Sequence, residues 1–463
     1  MRLTLHEVAA QLGVPLPPEN PLLKCAVTDS REVILGALFV CIPGTHVDGH
    51  DFAQAAAKRG AAALLVSRDI GESEIPCLRV HDTVSALGKI AAFWRKQTSA
   101  KVVGVTGTAG KTTVKDVLAQ ILALKGKTAK SPVNNNNQIG MPRAMLHADG
   151  DEAFWVMEAG ISHAGDMEYL ASVLSPDVGL ILNVGAGHTE GLGAKGVAWH
   201  KTRMLGQLAS GGIGIISADY PDLVREAENT GATLQYFSTK DRKMPYYAVY
   251  AGPSGDDDAR GRYCVHIEGR EYEMVAPFYG QYGAENVAAV VACAHTLGVT
   301  VEGIATGMAQ ATLPHQRFCE RRVGSWLCID DTYNANPLSM HRMLDAAAER
   351  AAGRNLIAVL GEMLELGGNT FQEHEALGLH LAQVKPAAVI WKGGQGDAVR
   401  EGLNKGGYSG LWLPVSAVAD FTRVWEQCTA VAGQGVALFK GSRANNMESL
   451  LEVVVGMGLP HVL

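Results

Sequence analysis

Short apolar runs alternate along this chain with stretches whose apolar residues fall at helical spacing. Near the N-terminus, Leu5, Val8 and Leu12 recur three and four residues apart in "LTLHEVAAQLG", the repeat of one helix face. "GALFVCIPG" is continuously apolar and ends in Pro-Gly, which predicts a buried strand running into a turn. "HDFAQAAAKRGAAALLVS" predicts a helix followed by a strand. "TVSALGKIAAFWRKQ" predicts an amphipathic helix that runs into polar "KQTSAK", a linker. Together these define a first block, residues 1–98.

A second block, 99–313, carries strand-like runs at 101–105, 153–157, 178–184 and 212–216, with helical patterns between them. That alternation predicts a mainly parallel sheet with helices on both faces. Between 245 and 276, "YYAVY", "YCVHI" and "YEMV" predict a small antiparallel addition, and "SGDDDAR" (254–260) an exposed turn. A third block, 314–463, alternates again. "WLCIDD", a helix near 338–351, "LIAVLG", a helix near 370–384, "AAVIW" and "GVALFKG" precede a final helix. It predicts a second doubly wound α/β unit. The expected fold class is α/β in three domains.

Composition narrows the function classes. The chain has 463 residues, too many for one ordinary core. Its net charge of −7 and lack of a basic patch argue against nucleic acid as a partner. Eight scattered cysteines with no C-x-x-C predict reduced core residues of a cytoplasmic protein. No uninterrupted apolar run reaches the roughly 18 residues of a membrane span, and His6 and Glu7 interrupt the start where a secretory leader would be apolar.

The candidate chemistry begins at "VVGVTGTAGKTTVKD", 102–116, where an apolar strand enters a loop and a helix follows. A phosphate cradle needs backbone N–H groups converging on an anion at a helix N-terminus. Gly107, Thr108, Ala109 and Gly110 can form that path. Lys111 can neutralise phosphate charge, and Thr112 or Thr113 can offer a hydroxyl to magnesium. The generic P-loop glycine falls on Val105, so the spacing is atypical. Glu158 ends the apolar "WVMEAG", and His188 follows the next strand in "LILNVGAGHTEGLG". Both positions fall at the carboxyl edge of a parallel sheet, where phosphate and magnesium work is expected. Asn134 to Asn137 form either a plain surface loop or one whose amides bind a polar substrate. In the third block, Asp330 and Asp331 end a strand, Pro337 stands where a helix starts, and Glu362 follows another strand.

These segments occur in the order "GVTGTAGKTT", "NNNNQIGMP", "NVGAGHTEGLG", "DDTYNANPLSM", "LGEMLELG", "KGSR", and in that order the chain resembles the Mur ligase family. The family loop reads G-x-T-G-x-x-G-K-T-T, so Val105 is a family trait. The resemblance implies an N-terminal domain for a uridine nucleotide, a central domain for ATP and Mg2+, and a Rossmann-like C-terminal domain that closes over the site. It implies ATP-dependent activation of a peptide carboxylate as an acyl phosphate, then attack by an amine. Asn-Ala-Asn-Pro at 334–337, in place of the Asp-Asn-Pro-Arg of the third-residue-adding branch, points to UDP-MurNAc-tripeptide and D-Ala-D-Ala as the joined substrates, in a cytoplasmic monomer.

The resemblance also distributes roles. Thr112, Glu158 and His188 match magnesium-associated positions. Lys201, in "GVAWHKTRML", matches a carbamylated lysine, although Thr202-Arg203 follows it where the family usually has Gly-Glu. Asn286, Arg317 and Asp331 match ATP contacts, with Tyr282-Gly283 departing from the usual His-Asn pair before Asn286. Ser30 and Arg31 match the uridine-nucleotide region, and Asn135 and Asn136 the muramoyl loop. Tyr333, Asn334 and Asn336 match the closing cleft.

Overall fold

The computed structural model describes residues 1–185, 189–255 and 259–458. His188 and the three aspartates of "SGDDDAR" lie outside the described residues. At the N-terminus, β1 (Leu3–Thr4) and β2 (Leu22–Leu23) form a short antiparallel ribbon. Between them runs the helix Leu5–Leu12, started by a capping box in which Thr4 and Glu7 satisfy each other's backbone N–H. Strands β3 (Cys25–Val27), β4 (Ala37–Val40), β5 (Ala63–Val66) and β6 (Cys77–Arg79) follow as a four-stranded parallel sheet in sequential order.

The second sheet has nine strands. They are β7 (Lys101–Thr106), β8 (Thr128–Lys130), β9 (Phe154–Glu158), β10 (Val178–Ile181), β11 (Ile213–Ser217), β12 (Leu234–Ser238), β13 (Tyr246–Pro253), β14 (Gly261–Ile267) and β15 (Arg270–Ala276). Their spatial order is 15-14-13-12-11-10-7-9-8. β7 to β13 are all parallel, and β14 and β15 add antiparallel pairings. The tyrosine-rich segment is therefore an extension of the main sheet, joined through β13, and not a separate unit.

β7, β9 and β10 are interior strands of this sheet and are covered on both sides, so their sequences are apolar without alternation. The helices Lys111–Ala123 and Gln281–Thr296 cover one face. Residues of the helices Thr83–Gln97, Gly140–His147 and Asp166–Leu174 cover the other, in one core with Leu5, Leu38 and Leu65 of the N-terminal segment. The first sheet is thus anchored to the second by shared apolar burial.

The third sheet comprises β16 (Cys319–Val323), β17 (Trp326–Asp331), β18 (Asn355–Gly361), β19 (Ala388–Lys392), β20 (Leu411–Pro414) and β21 (Gly435–Lys440), in order 16-17-21-18-19-20. All but the edge strand β16 are parallel. Separate apolar layers cover its two faces. β16, β20 and the helices Gly396–Lys405 and Val418–Ala432 complete a sheet whose other elements were legible in the apolar pattern. Pro337 does occupy the first turn of the helix Pro337–Ala351, behind an Asn336 cap.

On one face of this sheet, the helices Thr370–Val384 and Gly396–Lys405 approach closely through Gly378 and Gly402. A Cβ on Gly402 would overlap the Glu375 carbonyl, and one on Gly378 the Val399 carbonyl. Gly402→Val is expected to destabilise the C-terminal sheet by about 1–3 kcal/mol through overpacking, read as a lower thermal midpoint in circular dichroism.

Candidate functional site

The cradle is built at the carboxyl end of β7. Val105 is still in the strand, fully buried and paired with Leu180 and Glu158 on its neighbours. The loop proper is therefore only Gly107 to Gly110, and a glycine at 105 has no role in it. Gly110 takes φ +83° as it enters the helix Lys111–Ala123, and a Cβ there would lie 2.8 Å from Asn286 Oδ1. Both facts require glycine. Lys111 Nζ donates to the carbonyls of Gly107 (2.9 Å) and Thr108 (3.4 Å).

Glu158, at the end of β9, is buried beside this loop. Its carboxylate accepts from Thr112 Oγ1 (2.8 Å) and Asn136 Nδ2 (2.9 Å). Burial alone would raise its pKa. Lys111, the Asn136 amide, Lys115 and the Thr112 hydroxyl outweigh that and hold it below the ordinary carboxylate value. Thr112 and Glu158 thus offer adjacent, largely buried hard oxygen donors, a donor set that suits Mg2+.

Lys201, on the helix Gly196–Thr202, reaches the same loop from the other side. Its Nζ donates to Gly107 O at 2.9 Å, so two lysines converge on one carbonyl. Burial lowers the Lys201 pKa well below 10.5 and the Lys111 charge adds to the effect, with Glu158 opposing. Lys111 is also lowered, by burial and by Arg317.

A cavity of about 700 Å³ opens in front of this cluster. Its lining joins Thr108 to Thr113, Glu158 and Lys201 on one side to Arg317, Tyr333, Asn334 and Asn336 on the other. Arg317 lies over the Tyr333 ring, 4.1 Å from its centroid, with one guanidinium nitrogen 3.4 Å from Thr112 Oγ1. Its neighbours Gln316 and Phe318 take φ +59° and +56°, backbone strain spent on aiming this residue. Asn336 Nδ2 donates to Thr108 O at 3.1 Å, a bond from the C-terminal sheet to the loop.

Other sequence-predicted residues stand further back. Asp331 accepts from Lys440 Nζ (2.5 Å) and from the Phe318 N–H (3.0 Å), so it sets the segment that carries Arg317. Asn286 is buried behind Gly110. Asn135 is outside the cavity lining, whereas Asn134, Asn136 and Asn137 contribute to it. Ser30 and Arg31 are not brought to the cavity. They begin a 3-10 turn in which Arg31 pairs with Asp29 and Glu32 with Arg143 of the central region. Glu362 accepts from the Gly394 N–H, and Asp330 from Thr332, both local structural roles. Three buried polar atoms around the cradle lack a partner among the described residues: Asn286 Oδ1, Arg317 Nε and Tyr333 OH. Such atoms suit a polar ligand.

Sequence reasoning did not single out Asn183. Its Oδ1 accepts from the N–H groups of Thr108 (3.0 Å) and Ala109 (2.8 Å), and its Nδ2 donates to Ala109 O and Glu285. The signal available was an asparagine directly after an apolar strand. A buried Glu285 inside the apolar helix "GAENVAAVVACA" was a second.

Between its folded pKa and 10.5, Lys201 is uncharged in the folded protein and protonated in the unfolded chain. The unfolded state binds the extra proton, so this group opposes folding and stability rises with pH across that window. Lys201→Met is therefore expected to raise the chemical-denaturation midpoint at neutral pH, with the gain shrinking as pH approaches 10.5.

Comparison with known proteins places this arrangement. Three family descriptions match in sequence: "Mur ligase family, catalytic domain" over 24–95, "Mur ligase middle domain" over 105–294, and "Mur ligase, glutamate ligase domain" over 316–443. The UDP-N-acetylmuramoyl-tripeptide–D-alanyl-D-alanine ligase of Escherichia coli (strain K12) is 32% identical over 393 residues, 84% of each chain. The enzyme of the same name from Bacillus subtilis (strain 168) is 28% identical over 94% of each. A crystal structure of MurF from Acinetobacter baumannii superposes with a TM-score of 0.87 at 28% identity, covering 98% of this chain and 99% of that one. MurF from Thermotoga maritima in complex with ADP gives 0.82 at 27%, covering 94% and 97%. With the cradle, the three sheets and these full-length likenesses together, the chain belongs to the Mur ligase family.

Proposed function

We propose that this enzyme joins the terminal carboxylate of a UDP-MurNAc-tripeptide to the amine of D-Ala-D-Ala, with ATP converted to ADP and phosphate. The observation that carries this reading is the cavity itself: a phosphate cradle, a buried carboxylate and the Asn334-Ala335-Asn336 segment face one another across it. The shared name of the full-length relatives supplies the substrates. No helix among the described residues is long and apolar enough to cross a membrane. A cytoplasmic monomer is the form proposed.

The chemistry follows from charge. A carboxylate approaching the γ-phosphate meets strong repulsion, so the enzyme must supply positive charge and in-line placement. The Thr108–Thr113 backbone and Lys111 would hold the β- and γ-phosphates, and Arg317 would neutralise charge from the opposite wall. The carboxylate oxygen attacks γ-phosphorus, the bond to ADP breaks, and an acyl phosphate results. The amine then attacks the acyl carbon, and the tetrahedral intermediate expels phosphate. Thr112 and Glu158 would hold Mg2+, which when bound screens the phosphate oxygens. Asn136 keeps Glu158 turned toward Thr112.

Lys201 fits carbamylation because its amine is buried and its pKa is lowered. A neutral amine adds to carbon dioxide, forming an N–C bond and releasing one proton, and leaves an anion. That anion would stand opposite Lys111 and give the site a further oxygen donor.

Phosphate release is expected only when ATP, UDP-MurNAc-tripeptide and D-Ala-D-Ala are all present. Release indifferent to both peptide substrates would refute the ligase reading. Lys111→Ala should lower ligation by at least about 10³-fold with an unchanged circular dichroism spectrum, because it removes a charge aimed at the transferring phosphoryl group. Lys201→Ala should be severely impaired and partly rescued by short carboxylic acids. Full activity with an unmodified Lys201, read by native mass spectrometry, would exclude the carbamate.

A further inference from the structure

Behind the phosphate cradle, away from that cavity, a second polar network lies between the central and C-terminal sheets, with Asn183 and Glu285 buried and Tyr220 and Arg342 partly exposed on the wall of a smaller cavity. Glu285, on the helix Gln281–Thr296, accepts three hydrogen bonds. Asn183 Nδ2 (2.6 Å) and Arg342 Nη1 (2.7 Å) reach Oε2, and Tyr220 OH (2.8 Å) reaches Oε1. Arg342 Nη2 in turn contacts the Tyr220 hydroxyl oxygen at 2.6 Å. Arg342 lies on the helix Pro337–Ala351 of the C-terminal sheet, whereas Glu285, Asn183 and Tyr220 belong to the central region. Burial alone would lower the Arg342 pKa, but Glu285 and Tyr220 reverse that and raise it.

The same Asn183 fixes the cradle, since its Oδ1 accepts from the N–H groups of Thr108 and Ala109. An unbroken chain of side chains therefore runs from the C-terminal sheet to two backbone amides that hold the loop in place: Arg342, Glu285, Asn183, then the N–H groups of Thr108 and Ala109. A buried ion pair is also weak as a stabilising device, because desolvation offsets most of its attraction, but it is selective about geometry. Removing Arg342 from the docked position would leave Glu285 with an underpaired charge held only by Asn183 and Tyr220, so that a shift of the carboxylate would pull the Asn183 amide with it.

We propose that the Glu285–Arg342 pair is a positioning latch, through which docking of the C-terminal sheet sets the shape of the phosphate loop. Arg342 and Glu285 are positioning residues that act through Asn183. Asn336 to Thr108 O and Arg317 to Thr112 are the front contacts, and the rear latch fixes the backbone path of the loop behind them. Nucleotide affinity and domain docking are then two readings of one equilibrium. The inference rests on the nucleotide-binding part of the proposed function and on nothing about the peptide substrates.

The test is hydrogen–deuterium exchange of the full chain without nucleotide, together with ADP–Mg2+ titration calorimetry, for Arg342→Gln, Glu285→Gln and the double variant. Each single variant should speed exchange in 107–110 by about tenfold and weaken ADP by a similar factor, with exchange in β18 and β19 unchanged. Arg342→Lys, which keeps the charge but not the fork, should fall between. The double variant should be no worse than either single one, since the pair acts as a unit. It also removes the buried unpaired charge, so it carries the readout if Arg342→Gln alone does not fold. Unchanged exchange in 107–110, or additive effects in the double variant, would overturn the latch. Failure of the unaltered chain to bind ADP would instead refute nucleotide binding, and the exchange result would still decide the latch.

Discussion

Two lysines share one carbonyl oxygen at the centre of this enzyme. Lys111 and Lys201 both donate to Gly107 O at 2.9 Å, and Glu158 is the neighbouring anion that offsets them. Such a cluster is tenable only where the backbone is held rigidly and burial pulls the Lys201 pKa well below its ordinary value. Much of the surrounding structure serves that condition. β7 and β9 place Val105 and Glu158 opposite each other, so the loop and the carboxylate leave the sheet at the same level. Ser131 Oγ accepts from the Glu158 N–H, and fully buried Lys115 caps the Ser131 carbonyl, which locks the strand end. Asn183 fixes the far side of the loop.

The cluster is also incomplete as a site without the third sheet. Arg317 and Asn336 touch the loop from the other wall, and the strained segment 316–318 is held by Asp331, which Lys440 holds in turn. Each of these contacts is long-range in sequence and modest in strength. Together they form the second wall of the cavity. The N-terminal sheet behaves differently. It shares a continuous apolar core with the central sheet, so the two pack as one unit.

Much of this was legible before any coordinates. Buried parallel strands read as unbroken apolar runs, and so β7, β9, β10, β17, β18, β19 and β21 stood out. β20, with "LWLP" on a half-exposed edge, did not, and β16 with "CERRV" did not either. Edge strands lack the two-sided burial that makes a run apolar. In the site, the structure brings Lys111, Thr112, Glu158 and Lys201 together on the wall of one cavity. Asn183, Glu285 and Arg342 were not found, because a single polar residue in an apolar segment does not reveal its partner 57 to 102 residues away.

The sequence by itself determined the α/β class, the order of the elements and the chemical types gathered at the cradle. Those follow from local rules: burial writes periodicity, and a phosphate loop needs glycines and a lysine at fixed spacing. Only the tertiary structure decided which charges compensate one another. It put Lys201 on the carbonyl that Lys111 also uses, turned Glu158 toward Thr112, and tied Arg342 through Glu285 to Asn183. The reason is physical. Burial and Coulomb energy depend on distances in space, and residues far apart in the chain acquire those distances only when the sheets are assembled.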